Sequence, residues 1–230
     1  MISVIIPTYN EEHQIEKTVQ TIFKRGGNLI SEIIISDGGS NDQTIVNGKL
    51  SGAKIILSKK GRAIQLNKGA QHATQAILYF IHSDSIPPEG FAKMIVESVK
   101  NDFVSGCFRL GFDLDNWFLK SQCWFTKFDI NAFRYGDQSL FVTRDVFLKS
   151  GGYNENLIVM EDNEIIPRLK KYGRFQVIDS IVTTSARKYI ENGIYKTQLV
   201  FYFLFLLYKL GYSQVKIIAI FKKLIKQNKI

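Results

Sequence analysis

The sequence predicts an α/β fold built on a mostly parallel sheet with helices on both faces. Three observations carry that expectation. Short runs rich in Ile and Val alternate with segments of helical periodicity through the first hundred residues. The runs are continuously apolar, as strands covered on both sides are. Each also stops at a polar turn, where a ligand site in an open parallel sheet would lie.

Taken in order, "ISVIIPT" (2–8) reads as the first strand. Ile15, Val19, Ile22 and Phe23 recur at helical spacing, with Asn10 as the expected cap. "SEIIISDGGS" (31–40) is a second strand running into a glycine turn, and "AKIILSK" (53–59) a third. "GRAIQLNKGAQHA" (61–73) reads as a helix, "QAILYFIHS" (75–83) as the fourth strand, and Phe91, Met94, Ile95 and Val99 as the face of another helix. The second half is less regular. Leu114, Trp117, Phe118, Ser121, Trp124, Phe125 and Phe128 form one helical stripe, expected in the core, with an acceptor or membrane contact as the alternative. "QSLFVTR" (138–144) and "FQVIDSIVTTS" (175–185) read as strands, and "EDNEIIPRLKKYG" (161–173) as a helix interrupted by Pro167.

At 230 residues the chain suits one domain of ordinary α/β size, and its 45% apolar and 22% charged residues are globular values. Cys107 and Cys123 have no metal or disulfide-framework spacing and read as reduced, packed residues of a cytoplasmic protein. "MISVIIPTYNEE" lacks the basic region and cleavage site of a signal peptide. The net charge of +9 is concentrated at one end: after Glu191 there is no acidic residue, while Lys196, Lys209, Lys216, Lys222, Lys223, Lys226 and Lys229 follow. A basic tail of this kind argues against a nucleic-acid partner, which would be met by a charged folded face. No boundary is expected before about residue 188, so the chain divides into a catalytic unit, 1–187, and an apolar, basic helical extension, 188–230.

The strand ends bring polar groups into one crevice: Thr8-Tyr9-Asn10-Glu11, Asp37-Gly38-Gly39-Ser40, Lys59 to Arg62, and Asp84. On the residues alone each has a bland reading. Asp84 could cap a helix beginning near Pro88, Asp37 could close an Asx turn, and the acids of "MED" could complement a helix dipole.

"VIIPTYNEE", "ISDGGSNDQT", the acid of "HSDS" and the later "MEDNE" resemble the pattern of family-2 glycosyltransferases with the Rossmann-like GT-A fold. "GRAIQLNKGA", "FIHSDS", "RYGDQSLFV" and "VMEDNE" are similar to one bacterial subfamily of small enzymes, some named for a predicted part in arsenosugar biosynthesis. The likeness covers about residues 1 to 185. Ser85 stands where threonine is common, and His82 replaces the first aspartate of a D-x-D, leaving Asp84 as the single side-chain metal ligand of that motif.

The resemblance implies an inverting transferase that moves a sugar from a nucleotide-sugar donor, UDP-linked by preference, to an acceptor hydroxyl. Pro7, Thr8, Tyr9 and Glu11 would line the nucleoside pocket and Asp37 would meet the base, with Gly61, Arg62, Asn67 and Ser83 completing the nucleotide site. Asp84 would hold Mn²⁺ or Mg²⁺, which needs few protein carboxylates because it shares the phosphates. Asp162, beside Glu161, would be the base that takes the acceptor proton, and Asp137 the next candidate. Tyr135, Gly136 and Gln138 would touch sugar or acceptor. A non-catalytic sugar-nucleotide binder or scaffold at the membrane surface is the rival reading. Nucleotidylyltransferase and dinucleotide-dehydrogenase readings fail because "PTYNEE" stands where a glycine-rich loop should follow strand one.

"LVFYFLFLLY" (199–208) is too short to span a bilayer, which takes ~20 apolar residues. With Val215, Ile218, Phe221, Leu224 and Ile225 among lysines, residues 195–230 predict either a peripheral helix on the inner membrane face, suited to a lipid-linked acceptor, or a hairpin packed on the catalytic unit or on a second subunit.

Overall fold

A computed structural model describes residues 1–134 and 136–226, the Ala132 side chain excepted. Among the described residues an eight-stranded sheet runs in the order β3-β2-β1-β4-β7-β6-β8-β5. β1 (Ile2–Thr8), β2 (Ile30–Asp37), β3 (Lys54–Leu57) and β4 (Ile77–Phe80) pair in parallel. β7 (Leu140–Thr143) is antiparallel both to β4 and to β6 (Phe103–Phe112), which restores the original direction in β6; β8 (Arg174–Thr184) then pairs with β6 in parallel. The two-residue β5 (Ser85–Ile86) closes the far edge, antiparallel to β8. Six strands therefore deliver their C-terminal ends to one edge of the sheet.

Alternation along the strands divides the core. Ile2, Val4 and Ile6 face α1 (Ile15–Gly26) and α4 (Phe91–Lys100) through Ile15, Val19, Ile22, Phe91 and Ile95. Ile5, Ile34, Leu78 and Phe80 face α3 (Arg62–Gln71) through Ala63, Leu66 and Ala70. The same layer holds Val146 and Phe147 of α6 (Arg144–Lys149) and Ile165, Ile166 and Leu169 of α7 (Glu161–Leu169). Each fully buried Ile or Leu contributes roughly 1.5–3 kcal/mol, so both faces are strongly specified. α3 lies close on β1 because Gly69 has no side chain: a Cβ there would meet Ile5 Cγ2 at 2.5 Å.

Several sequence expectations need amendment. Asn10 does not cap α1, which starts at Ile15 behind Gln14. Asn10 instead has φ 54° and its Oδ1 accepts from the Asn41 backbone, tying the loop after β1 to the turn after β2. The sequence reading passed over α2 (Thr44–Leu50) and the whole of β6, whose Ser105, Gly106 and Arg109 dilute its apolar pattern. The aromatic stripe does form a helix, α5 (Trp117–Phe125), but only Leu119 of it is buried; Trp117, Trp124 and Phe125 are exposed. Both thiols are free and burial pushes each up to about 12, so neither is poised as a nucleophile.

The tail forms α8 (Arg187–Asn192), α9 (Ile194–Lys209) and α10 (Gln214–Leu224). Val200, Leu204 and Leu207 pack on Ile217, Phe221 and Ile225, with Val159 and Met160, just before α7, against them. Gln214 Oε1 accepts from the backbone of Ile158 and Val159. The hairpin therefore sits against the segment that leads into α7. No helix among the described residues is long and apolar enough to cross a membrane.

Candidate active site

A cavity of about 870 Å³ opens beyond the C-terminal edge of the sheet. Pro7, Thr8 and Tyr9 at the end of β1, Phe112 at the end of β6 and Thr184 at the end of β8 all line it, as does the 82–84 turn after β4. Register explains part of this convergence. Thr8 pairs with Asp37 across β1 and β2, and its hydroxyl donates to Asp37 Oδ1 at 3.0 Å.

Asp84 sits at the cavity on a braced turn. The Ile81 backbone donates to Ile5 O, Thr18 Oγ1 donates to Ser83 O at 2.6 Å, and Ser85 N donates back to His82 O. Ser85 Oγ donates to Thr184 Oγ1 at 3.0 Å, fixing the turn to β8. The capping alternative for Asp84 does not hold, because α4 begins at Phe91 behind a left-handed Gly90 with no side-chain cap. His82, which burial and then Arg62 push down to about 3, is a neutral imidazole beside it.

Arg62 opens α3 and keeps 43% of its side chain exposed, facing the cavity. Its Nη1 lies 3.0 Å from Glu161 Oε1 and 3.8 Å from Asp162 Oδ2. Those acids open α7 directly after Met160, which is held at φ 69°, a left-handed conformation that turns the first helical turn inward. Glu161 is only 1% exposed, and its Oε2 has no hydrogen-bond partner among the described residues. Asp162 is pushed up to about 8, first by burial and then by the Glu161 carboxylate, with Arg62 acting the other way. A raised carboxyl beside a cavity is the arrangement a proton acceptor needs. Asp162 does not line the large cavity; it stands behind Arg62, against Gly136 and His82. A Cβ at Gly136 would lie 2.1 Å from Asp162 Oδ2.

The structure thus brings Pro7, Thr8, Tyr9, Glu11, Gly61, Arg62, Ser83, Asp84 and Asp137 around one cavity, with Glu161, Asp162 and Gly136 in the adjoining layer. Three expected residues point elsewhere. Asp37 spends both carboxylate oxygens on its own turn, accepting from Gly39 N, Ser40 N and Ser40 Oγ as well as Thr8. Asn67 brackets Tyr153: Nδ2 donates to its carbonyl and Oδ1 accepts from its N–H. Gln138 is buried, and its Nε2 donates to Phe108 O. Tyr135 lies outside the described residues.

The cavity also contains residues to which the sequence reading gave no role of their own. Lys60 lies over the Tyr9 ring at 4.0 Å. Arg187 and Lys188 follow β8 into α8, and Phe201, Lys222 and Lys226 of the tail reach the same space. Lys188 is pushed down by burial while Asp137 and Asp84 act in the opposite direction, and no carboxylate among the described residues pairs with it. The available signal was "TTSARK", another strand ending in polar and basic residues.

The glycosyl transferase family 2 model matches residues 3–154, two thirds of the chain, and spans β1 through β7 with the Asp84 turn. The chain belongs to glycosyl transferase family 2. Glucosyl-3-phosphoglycerate synthases of Mycolicibacterium smegmatis and Mycobacterium tuberculosis are both 31% identical to it, over 97 and 96 residues. The match covers 38% of this chain and 32% of the first relative's length.

Solved structures extend the likeness of fold. A Pyrobaculum calidifontis mannosyltransferase in complex with GDP-Man and Mn²⁺ superposes with a TM-score of 0.68 at 16% identity, covering 86% of this chain and 59% of that one. S. aureus TarS with UDP-GlcNAc gives 0.65 at 17%, covering 80% and 58%. The M. tuberculosis glucosyl-3-phosphoglycerate synthase with Mn²⁺, UDP and glucosyl-3-phosphoglycerate gives 0.55 at 19%, covering 80% and 69%. These are GT-A enzymes, and the expected fold class stands.

Proposed function

We propose that this family-2 chain is an inverting, metal-dependent glycosyltransferase that moves a sugar from a UDP-linked donor to an acceptor hydroxyl. The observation that carries the reading is one cavity with Asp84 braced at a strand end, Arg62 at the start of α3, and a carboxyl of raised pKa directly behind it. The bound UDP of two structural relatives supports the choice of nucleotide.

The nucleoside would lie along Pro7, Thr8, Tyr9 and Glu11, with Gly61 and Arg62 toward the diphosphate. Among the described residues no group of three or more His, Cys, Asp or Glu could hold a metal ion by itself. That fits Mn²⁺ or Mg²⁺, which commonly take one or two carboxylates and complete their shell with waters and substrate phosphates; Asp84 is the residue that would hold the ion. When bound, the ion would neutralise charge gathering on the departing diphosphate. Arg62 shares that role as it exchanges Glu161 and Asp162 for phosphate oxygens. Asp162, once ionised, accepts the acceptor hydroxyl's proton at a carboxylate oxygen. Attack from the side opposite the nucleotide inverts the anomeric carbon. Asp137, also at the cavity, would bind sugar or acceptor hydroxyls. A lipid-linked acceptor fits, because Phe201 of α9 and Lys222 of α10 line the same cavity.

The test is a thermal-shift screen of UDP-, GDP-, dTDP- and ADP-sugars with and without Mn²⁺. UDP-sugars with Mn²⁺ are expected to raise Tm in the native chain and in Asp162→Asn, and to lose the Mn²⁺-dependent part in Asp84→Asn. Asp162→Asn should bind donor yet transfer nothing. Equal metal-dependent shifts with and without Asp84, or normal turnover by Asp162→Asn, would overturn the assignment.

A further inference from the structure

α9 is apolar almost all the way round, and a helix of that kind is normally covered on every side. Here only one side is. Val200, Leu204 and Leu207 are buried in the hairpin core. The opposite stripe, Tyr195, Leu199, Tyr202, Phe203, Leu206 and Leu210, is open to solvent, with Leu199 67% and Leu206 53% exposed. The stripe does not stand alone. The Phe118 and Tyr195 ring centroids are 4.9 Å apart and the Tyr202 hydroxyl donates to Gln122 Oε1, so α5 lies alongside α9. α5 adds Trp117, 70% exposed, and Trp124, 48% exposed, with Phe125 and then Phe128 and Ile130 behind them. Two elements far apart in sequence thus place one continuous aromatic and aliphatic face on the surface. Soluble monomers rarely leave so large a patch uncovered without a use for it.

Cations accompany the face. Lys127 Nζ lies over the Trp124 ring at 3.6 Å, Lys209 Nζ is 5.3 Å from the Phe205 ring centroid, and Lys196 is exposed on α9 itself. Lys120 pairs with Asp115 at 2.7 Å, and beyond Glu191 the chain has no further acid. Trp and Tyr rings beside lysines above a wide apolar stripe match the headgroup layer of a bilayer: rings at the boundary, ammonium groups at lipid phosphates. At 16 residues α9 is about 24 Å long by helical rise, short of the ~30 Å hydrocarbon core, so it can lie on a membrane and not through it.

We propose that the joint face of α5 and α9 docks this protein on an anionic membrane surface. Since α9 also contributes Phe201 to the cavity, docking would hold the cavity at the lipid boundary. This contact stands independently of the donor and base assignments above.

The chain's two tryptophans are Trp117 and Trp124, both on this face, so intrinsic fluorescence reports on it directly. The experiment adds mixed phosphatidylcholine–phosphatidylglycerol vesicles to the full chain and follows emission and co-sedimentation. The control is phosphatidylcholine alone. The expected result is a blue shift with anionic vesicles, and pelleting that weakens in high salt and with neutral vesicles. A Trp117→Ser, Leu199→Ser, Leu206→Ser variant, altered only at exposed positions and checked for an unchanged melt, should bind about tenfold more weakly or worse. Unshifted emission, equal pelleting of that variant, or a concentration-dependent dimer that ignores vesicles would overturn the proposal; the last would give the face to a second copy.

Discussion

Replacing Glu161 with Gln should move the ionisation of Asp162 from the alkaline side toward neutrality. As the proposed base, Asp162 has to be ionised to take a proton, and in the native chain it is pushed up to about 8 by burial and then by Glu161. The rate should therefore be low on the acid side and rise through about pH 8. Glu161 Oε1 and Asp162 Oδ2 lie 3.0 and 3.8 Å from the same Arg62 nitrogen, so these two oxygens are no more than about 7 Å apart. Two like charges at that separation repel by roughly 2 kcal/mol at an effective dielectric of 20, which is more than one pKa unit. Gln removes that repulsion. It also leaves Arg62 with a single carboxylate partner, which favours the ionised form of Asp162 further. The rising limb of kcat/KM for a UDP-sugar should shift down by at least about one pH unit. A ¹³C-carboxyl NMR titration of Asp162 in the donor-free protein reads the same shift without a substrate. A limb that stays in place, or moves to higher pH, would refute the reasoning.

Three further outcomes follow from the same geometry. Gly136→Ala puts a Cβ 2.1 Å from Asp162 Oδ2, so turnover should fall at least about tenfold while Mn²⁺-dependent donor binding by calorimetry is kept. Lys188→Met should weaken nucleoside diphosphate binding more than nucleoside binding, with Arg restoring most of the loss, because Lys188 lines the cavity and no carboxylate among the described residues lies within ion-pair distance of its ammonium. Asn67→Ala breaks the bonds to both backbone groups of Tyr153 and should cost roughly 1–3 kcal/mol in a denaturant melt.

Much of this protein is legible in its sequence because two signals are local. A continuously apolar run marks a strand covered on both faces, and the polar group after it marks the ligand edge; β1 to β4, Tyr9, Arg62 and Asp84 all follow from those rules. The family motifs pointed to Asp162 and Gly136, which lie together behind Arg62. The same rules missed β6, where Phe141 and the Gln176 carbonyl crowd against Gly106 and leave no room for a larger residue, and where Ser105 and Arg109 interrupt the apolar run. The resemblance also assigned Asp37 and Asn67 to the nucleotide, whereas here each holds hydrogen bonds to its own surroundings. A carboxylate in Asp-Gly-Gly-Ser can face a base or close its own turn, and only the surrounding donors decide which; here Gly39 and Ser40 take it.

What the sequence by itself determined is the alternation of strands and helices, the family, and the side chains available at each strand end. The tertiary structure alone decided which of them meet. It turned β7 against its neighbours so that β6 and β8 rejoin the common direction, carried Arg187 and Lys188 to the cavity, and folded Asp162 in behind Arg62. It also left α5 and half of α9 uncovered. The physical reason is that hydropathy patterns fix how a residue sits relative to its own element. Partners, by contrast, come from packing between elements a hundred residues apart, where burial and neighbouring charge set both the pKa of a carboxyl and the exposure of a tryptophan.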